Sequence, residues 1–224
     1  MKSKKMLFLL TLILCLIPQK SLANETRNRI AVIDTGISSD FPRDFLCSEG
    51  HKDFTGEGLQ DVRLHGTLVS YILAHYINPQ KTCLVILKYW TNGSDSNAWN
   101  YLQALKFVSE GKFFALNLSL GGDGILPLEK EYIQKILDNG TIISNAAGNQ
   151  HIDLSKTCTV WPACYKILNF VVASCKDSVV EWYSNYNSPV NACEYGTQEY
   201  AGIRNRGTSF SSPVFLGKWI KAHE

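Results

Sequence analysis

Ile30-Ala31-Val32-Ile33-Asp34-Thr35-Gly36 is the stretch from which the rest of the chain can be read. Four apolar residues without polar alternation read as a strand buried on both faces, the pattern of a parallel sheet covered by helices. Asp34 then falls at the carboxyl end of that strand, where open α/β sheets expose functional groups.

The flanking sequence repeats the theme. A helix is expected over Gly66–Tyr76, opened by His65, because Val69, Leu73 and Tyr76 recur at helical spacing. Strand Leu84–Leu87 follows, then helix Ala98–Glu110 with Leu102, Leu105 and Val108 facing inward, then strand Ala115–Leu118. Over Leu128–Asn139 a stripe of Leu128, Tyr132, Ile133, Ile136 and Leu137 predicts another helix, which Gly140 ends. Strands are expected at Thr141–Ser144 and Phe170–Ala173, and a last helix from near Ser209, with Pro213 accommodated in its first turn. Such alternation predicts an α/β fold: a doubly wound, mostly parallel sheet with helices on both faces, in one domain.

The amino terminus reads differently. Lys2, Lys4 and Lys5 precede an apolar run from Met6 to Ile17, and Ser21-Leu22-Ala23 follows with small residues. That is the pattern of a secretory signal peptide cleaved after Ala23, and the run is too short to span a bilayer as a helix. The sequence thus predicts residues 1–23 as signal, residues 24–224 as the domain, and export to a secreted or periplasmic location. Four of the 22 basic residues lie in the leader, which leaves 18 against 20 acidic ones. This balance offers no basic surface for nucleic acid, and no stable membrane association is expected once the leader is gone.

Six cysteines remain beyond the leader: Cys47, Cys83, Cys158, Cys164, Cys175 and Cys193. An even number in an exported chain predicts disulfides; spacing alone leaves all 15 connectivities of six cysteines open, and the set taken as the expectation is Cys47–Cys83, Cys158–Cys164 and Cys175–Cys193. Zinc is disfavoured because neither C-x-x-C nor H-E-x-x-H occurs.

Three short motifs carry chemistry: Asp34-Thr35-Gly36, His65-Gly66-Thr67, and Gly207-Thr208-Ser209 followed by Phe210-Ser211-Ser212-Pro213. Each is weak alone. Asp-Thr-Gly is also an ordinary strand-ending turn, or half of an aspartic-protease dyad, but no second such motif is present. A lone histidine is more often structural, and a serine at a helix start usually caps it. In the order Asp, His, Ser they are the parts of a nucleophilic relay.

With Asn145-Ala146-Ala147-Gly148-Asn149 as a fourth block, the chain resembles the subtilisin-like serine proteases from Ile30 to about Gly217. The resemblance implies an exported serine endopeptidase working through an acyl-enzyme. Ser209 would be nucleophile, His65 general base and then acid, Asp34 the orienting carboxylate, and Asn149 with the Ser209 N–H the oxyanion hole. Asn117-Leu118-Ser119-Leu120-Gly121-Gly122 is similar to the family's substrate-binding strand. An extended peptide or unfolded protein would pair with Ser119, Leu120 and Gly121, opposite Ala147 and Gly148, with Val160 making the first specificity pocket shallow.

Departures from the family pattern set further expectations. Leu68 replaces a second histidine, which touches packing more than chemistry. Only ten residues, Asn24 to Ile33, separate the predicted cleavage site from Asp34, too few for a pro-region, so a separate inhibitor or folding chaperone is a possible partner. Fifteen residues follow Ser209, where relatives usually continue into further helices. Ile77-Asn78-Pro79-Gln80 lacks the carboxylates of the family's calcium site, so no metal or other cofactor is expected. Two rival activities stand beside hydrolysis: a degenerate peptide-binding module, and acyl transfer to an amine.

Overall fold

Residues 30–33 lie inside strand β1 (Asn28–Asp34). The structure, a computed structural model, describes residues 26–200 and 203–224; the expected signal peptide lies outside the described residues. After β1 come β2 (Lys52–Asp53), helix α1 (His65–Tyr76), β3 (Thr82–Lys88), α2 (Asn97–Glu110), β4 (Ala115–Leu118), α3 (Glu129–Asp138), β5 (Ile142–Ala146) and β6 (Phe170–Lys176). These six strands pair in parallel in the order β2-β3-β1-β4-β5-β6. β7 (Val179–Val180) adds antiparallel to β6, and β8 (Ala192–Glu194) pairs with β6 in parallel. A hairpin of β9 (Thr197–Tyr200) and β10 (Ile203–Arg206) leads into α4 (Thr208–His223).

Side chains alternate across a strand, and that period divides β1 and β3 between two cores. Ala31, Ile33, Val85 and Leu87 face a cluster with Leu105 and Val108 of α2 and Ile133 and Ile136 of α3. Ile30, Val32, Leu84 and Ile86 face Val69 and Leu73 of α1 and Leu216 and Ile220 of α4. Each fully buried valine, leucine or isoleucine among them contributes about 1.5–3 kcal/mol. The sheet is therefore doubly wound, with helices on both faces, as the alternation predicted.

Three local expectations are corrected. Leu128 is not part of α3: it has φ 68°, precedes the helix and is 51% exposed, so the buried stripe begins with Ile133 and Ile136. Thr141 lies just before β5, where its hydroxyl donates to the Phe113 carbonyl at 2.8 Å, and the strand runs on to Ala146. Pro213 is the sixth residue of α4 rather than a first-turn residue. Lacking an N–H, it leaves the Ser209 carbonyl without its helical donor. The Ser119 hydroxyl fills that place at 2.6 Å.

The cysteines form the three expected disulfides, Cys47–Cys83, Cys158–Cys164 and Cys175–Cys193. Cys47–Cys83 ties β3 to the segment before β2, and Cys175–Cys193 ties β6 to β8. Strand order reverses around β1, whose neighbours are β3 and β4. The connections leaving the carboxyl ends of β1 and β4 diverge there and open a crevice.

Candidate active site

A cleft of about 320 Å³ occupies that crevice, lined by Asp34, His65, Ser119, Leu120, Gly121, Gly148, Asn149, Val160 and Ser209, among others. Each arrives on a different element: Asp34 ends β1, His65 opens α1, Asn149 follows β5, and Ser209 is the second residue of α4.

The pairing of Asp34 with His65 is the most defined contact. The His65 Nδ1–H donates to Asp34 Oδ1 at 2.7 Å, and the Thr35 N–H donates to the same oxygen at 2.7 Å. Asp34 is 4% exposed, whereas His65 keeps a third of its surface open to the cleft. Burial disfavours the charged imidazolium, yet the Asp34 carboxylate, through charge and hydrogen bond, with Asp61 behind it, outweighs burial and Arg63. The His65 pKa is raised.

Gly66 explains why the histidine is followed by glycine. A Cβ there would sit 2.5 Å from the Gly36 carbonyl oxygen, so only glycine lets α1 dock on the Asp34 turn. The motif reading missed the residue that holds this docking. Asp61, 2% exposed, accepts five hydrogen bonds: from Thr35 Oγ1 at 2.9 Å, from the Arg63, Leu64 and Thr67 N–H groups at 3.0, 2.8 and 2.8 Å, and from Thr67 Oγ1 at 2.8 Å. It serves the turn leading into α1 and the orphan Thr67 N–H of the first helical turn, while Thr35 Oγ1 accepts from the Gly66 N–H at 2.9 Å; the N-cap residue Leu64 has no side chain able to do either. The signal was an aspartate just ahead of a predicted helix start.

The Asn149 side chain is held by its oxygen. Oδ1 accepts from the Thr208 N–H at 2.9 Å and from Thr208 Oγ1 at 3.1 Å. That leaves the Nδ2 amide as the donor end available to the cleft. The Ser209 N–H, second in α4, belongs to the turn whose N–H groups helix geometry leaves unpaired. Asn185, also unrecognised in the sequence, braces the loop: it donates to the Ala147 carbonyl at 2.8 Å and accepts from the Gln150 and Ile152 N–H groups at 3.1 and 2.9 Å.

The pocket residues are rearranged relative to expectation. Leu120, Gly121, Gly148 and Val160 line the cleft. Ala147, expected on the wall, is fully buried in the core, and Ala146 lines the cleft instead. Ser119 also lines it, but its hydroxyl is spent on the Ser209 carbonyl and accepts from Asn117 Nδ2 at 2.9 Å. Val160 packs between the two glycines: a Cβ on Gly121 would lie 2.9 Å from Val160 Cγ1, and one on Gly148 3.2 Å from it. Gly148 also has φ +98°, a left-handed conformation that side chains resist.

No family model matches the chain. It is 27% identical to an intracellular serine protease of Paenibacillus polymyxa, over 87% of this chain and 67% of that one. It is 26% identical to the major intracellular serine protease of Bacillus subtilis (strain 168), over 88% of this chain and 69% of that one. Among solved structures, a cold adapted subtilisin-like serine proteinase superposes with TM-score 0.70 at 21% identity, covering 89% of this chain and 77% of its own. A lanthipeptide protease superposes with TM-score 0.68 at 15% identity, covering 85% and 71% respectively. The two relatives named as intracellular overturn the expectation of export, which rested on residues outside the described part. Among the described residues no helix is long and apolar enough to cross a membrane.

Proposed function

We propose that this chain, similar in sequence to serine proteases and in fold to a subtilisin-like proteinase, is a serine-type endopeptidase acting on peptide or protein substrates, and that Asp34, His65 and Ser209 perform its chemistry with Asn149 as oxyanion donor. His65 Nε2 takes the Ser209 hydroxyl proton as Oγ attacks the scissile carbonyl carbon. Asp34 fixes the Nδ1–H tautomer and stabilises the imidazolium that forms. The negative oxygen of the tetrahedral intermediate accepts from Asn149 Nδ2 and the Ser209 N–H. On collapse the C–N bond breaks and His65 returns its proton to the leaving amine. Water, deprotonated by the same ring, then releases the acyl group and restores Ser209.

The observation that carries this reading is the 2.7 Å pairing of His65 with buried Asp34 in one cleft with Ser209 and with an Asn149 whose oxygen is tied back. An extended substrate is proposed to run along Leu120–Gly121, its first side chain entering a pocket that Val160 keeps shallow, which favours small or medium residues. The test is labelling by a fluorophosphonate probe together with cleavage of casein. Both are expected in the native chain and lost in Ser209→Ala; a native chain that neither labels nor cleaves would overturn the assignment.

A further inference from the structure

A second cavity, of about 280 Å³, adjoins the cleft. It shares Tyr89, Trp90, Leu120 and Gly121 with the cleft but none of Asp34, His65, Asn149 or Ser209. Its remaining wall is largely apolar, with Tyr101, Leu126 and Trp161; its polar side chains are Asn97, whose amide is bonded at both ends to the Thr91 backbone, and one carboxylate, Glu129. Glu129 is 2% exposed. Its Oε2 accepts from the Tyr165 hydroxyl at 2.8 Å, and the hydroxyl of buried Tyr101 lies near enough to favour the charged carboxylate without forming a hydrogen bond of normal geometry. Among the described residues no basic side chain pairs with it. Burial raises its pKa, and the Tyr165 and Tyr101 hydroxyls only partly counter that.

A carboxylate enclosed by aromatic and aliphatic walls with only neutral donors is under-compensated. A side chain with an aliphatic stem and a cationic end fits such a site at both ends: the stem lies against the walls and the charge reaches the carboxylate. We propose that this cavity is a substrate subsite that selects a lysine or arginine side chain away from the scissile bond, with Glu129 as the specificity-determining residue. The inference rests on the reading that the adjoining cleft takes extended peptides. It does not depend on turnover.

The test is equilibrium binding to the Ser209→Ala protein of extended peptides that differ only in carrying lysine or its uncharged isostere norleucine at each position in turn. At one position lysine is expected to bind at least about tenfold tighter. In the Ser209→Ala, Glu129→Gln double variant that ratio is expected to fall to about one. Norleucine binding as tightly as lysine at every position would overturn the proposal without recourse to any Glu129 variant. So would a lysine preference that survives in a folded Glu129→Gln variant. Cleavage by the native protein is scored separately: lysine preference without any cleavage would defeat the hydrolytic reading and leave the subsite standing.

Discussion

Asp61 and Glu129 are both carboxylates at 2% exposure within reach of the same crevice, yet their surroundings are opposite. Asp61 accepts five hydrogen bonds, three of them from backbone N–H groups, two in the turn before α1 and one in its first turn. Among the described residues the Glu129 carboxylate accepts one hydrogen bond, from the Tyr165 hydroxyl, with the Tyr101 hydroxyl nearby. A buried charge that is fully hydrogen-bonded is part of the frame, because removing it strands its donors. One that is barely compensated lowers its own cost by gaining a proton or a cationic partner. Equal burial therefore marks a strut in one place and a receptor in the other.

The sharpest way to break this contrast is Asp61→Ala. Stranding five donors beneath His65 is expected to cost about 3 kcal/mol or more of stability. It should also lower kcat/KM by about 10²-fold or more as the His65–Asp34 geometry loosens. Urea unfolding and steady-state kinetics check both, and a loss under twofold would remove Asp61 from the frame.

A smaller effect is expected where the frame has a reserve. Ser119→Ala removes the hydroxyl that serves the Ser209 carbonyl and should cost about 1 kcal/mol. In a Pro213→Ala background the helix regains an N–H for that carbonyl, so the same change should cost measurably less. A double-mutant cycle read by chemical denaturation decides it, and additive losses would show that the two positions are uncoupled.

Glu129→Gln should go the other way. Because the native state holds the Glu129 proton more tightly than the unfolded chain, stability is lost as pH rises from the ordinary carboxyl range through the raised pKa. Above that window the glutamine variant is expected to be more stable than the native chain by about 1 kcal/mol, and below it indistinguishable. Melting at pH 4 and pH 8 separates the two cases. A variant less stable at both would place Glu129 with Asp61 as a strut.

The smallest effects are in pH profiles. Hydrolysis needs neutral His65, so a raised pKa puts the acid limb of kcat/KM above the ordinary histidine value of 6.5. Asp61→Asn should move that limb down, and Arg63→Ala should move it slightly up, since Arg63 opposes protonation. Glu129→Gln should leave it in place. An acid limb that shifts with Glu129 but not with Asp61 would invert the comparison.

Legibility followed the range of the interactions. β1, α1 and α2 were readable because period and burial coincide within each element. Leu128 misled because its apolar side chain continued a stripe that the backbone had not yet begun, with φ at 68°. Ala147 was placed one residue off the cleft wall because β5 runs further than its apolar run, and a one-residue step moves a side chain to the other face. The apolar stretch at 6–17 suggested export, against which the named relatives speak.

By itself the sequence determined the class of fold and the candidate nucleophile, base and carboxylate, because each is written in local period or in a short motif, whereas the cysteine pairing was fixed only by which strands the fold brings side by side. Only the tertiary structure decided which buried groups hold those parts in register. Asp61 reaches back to Thr35, Asn185 to Ala147, and Ser119 across 90 positions to Ser209. Such bonds depend on which strand ends and helix starts the doubly wound sheet brings to one crevice, and no spacing along the chain encodes that.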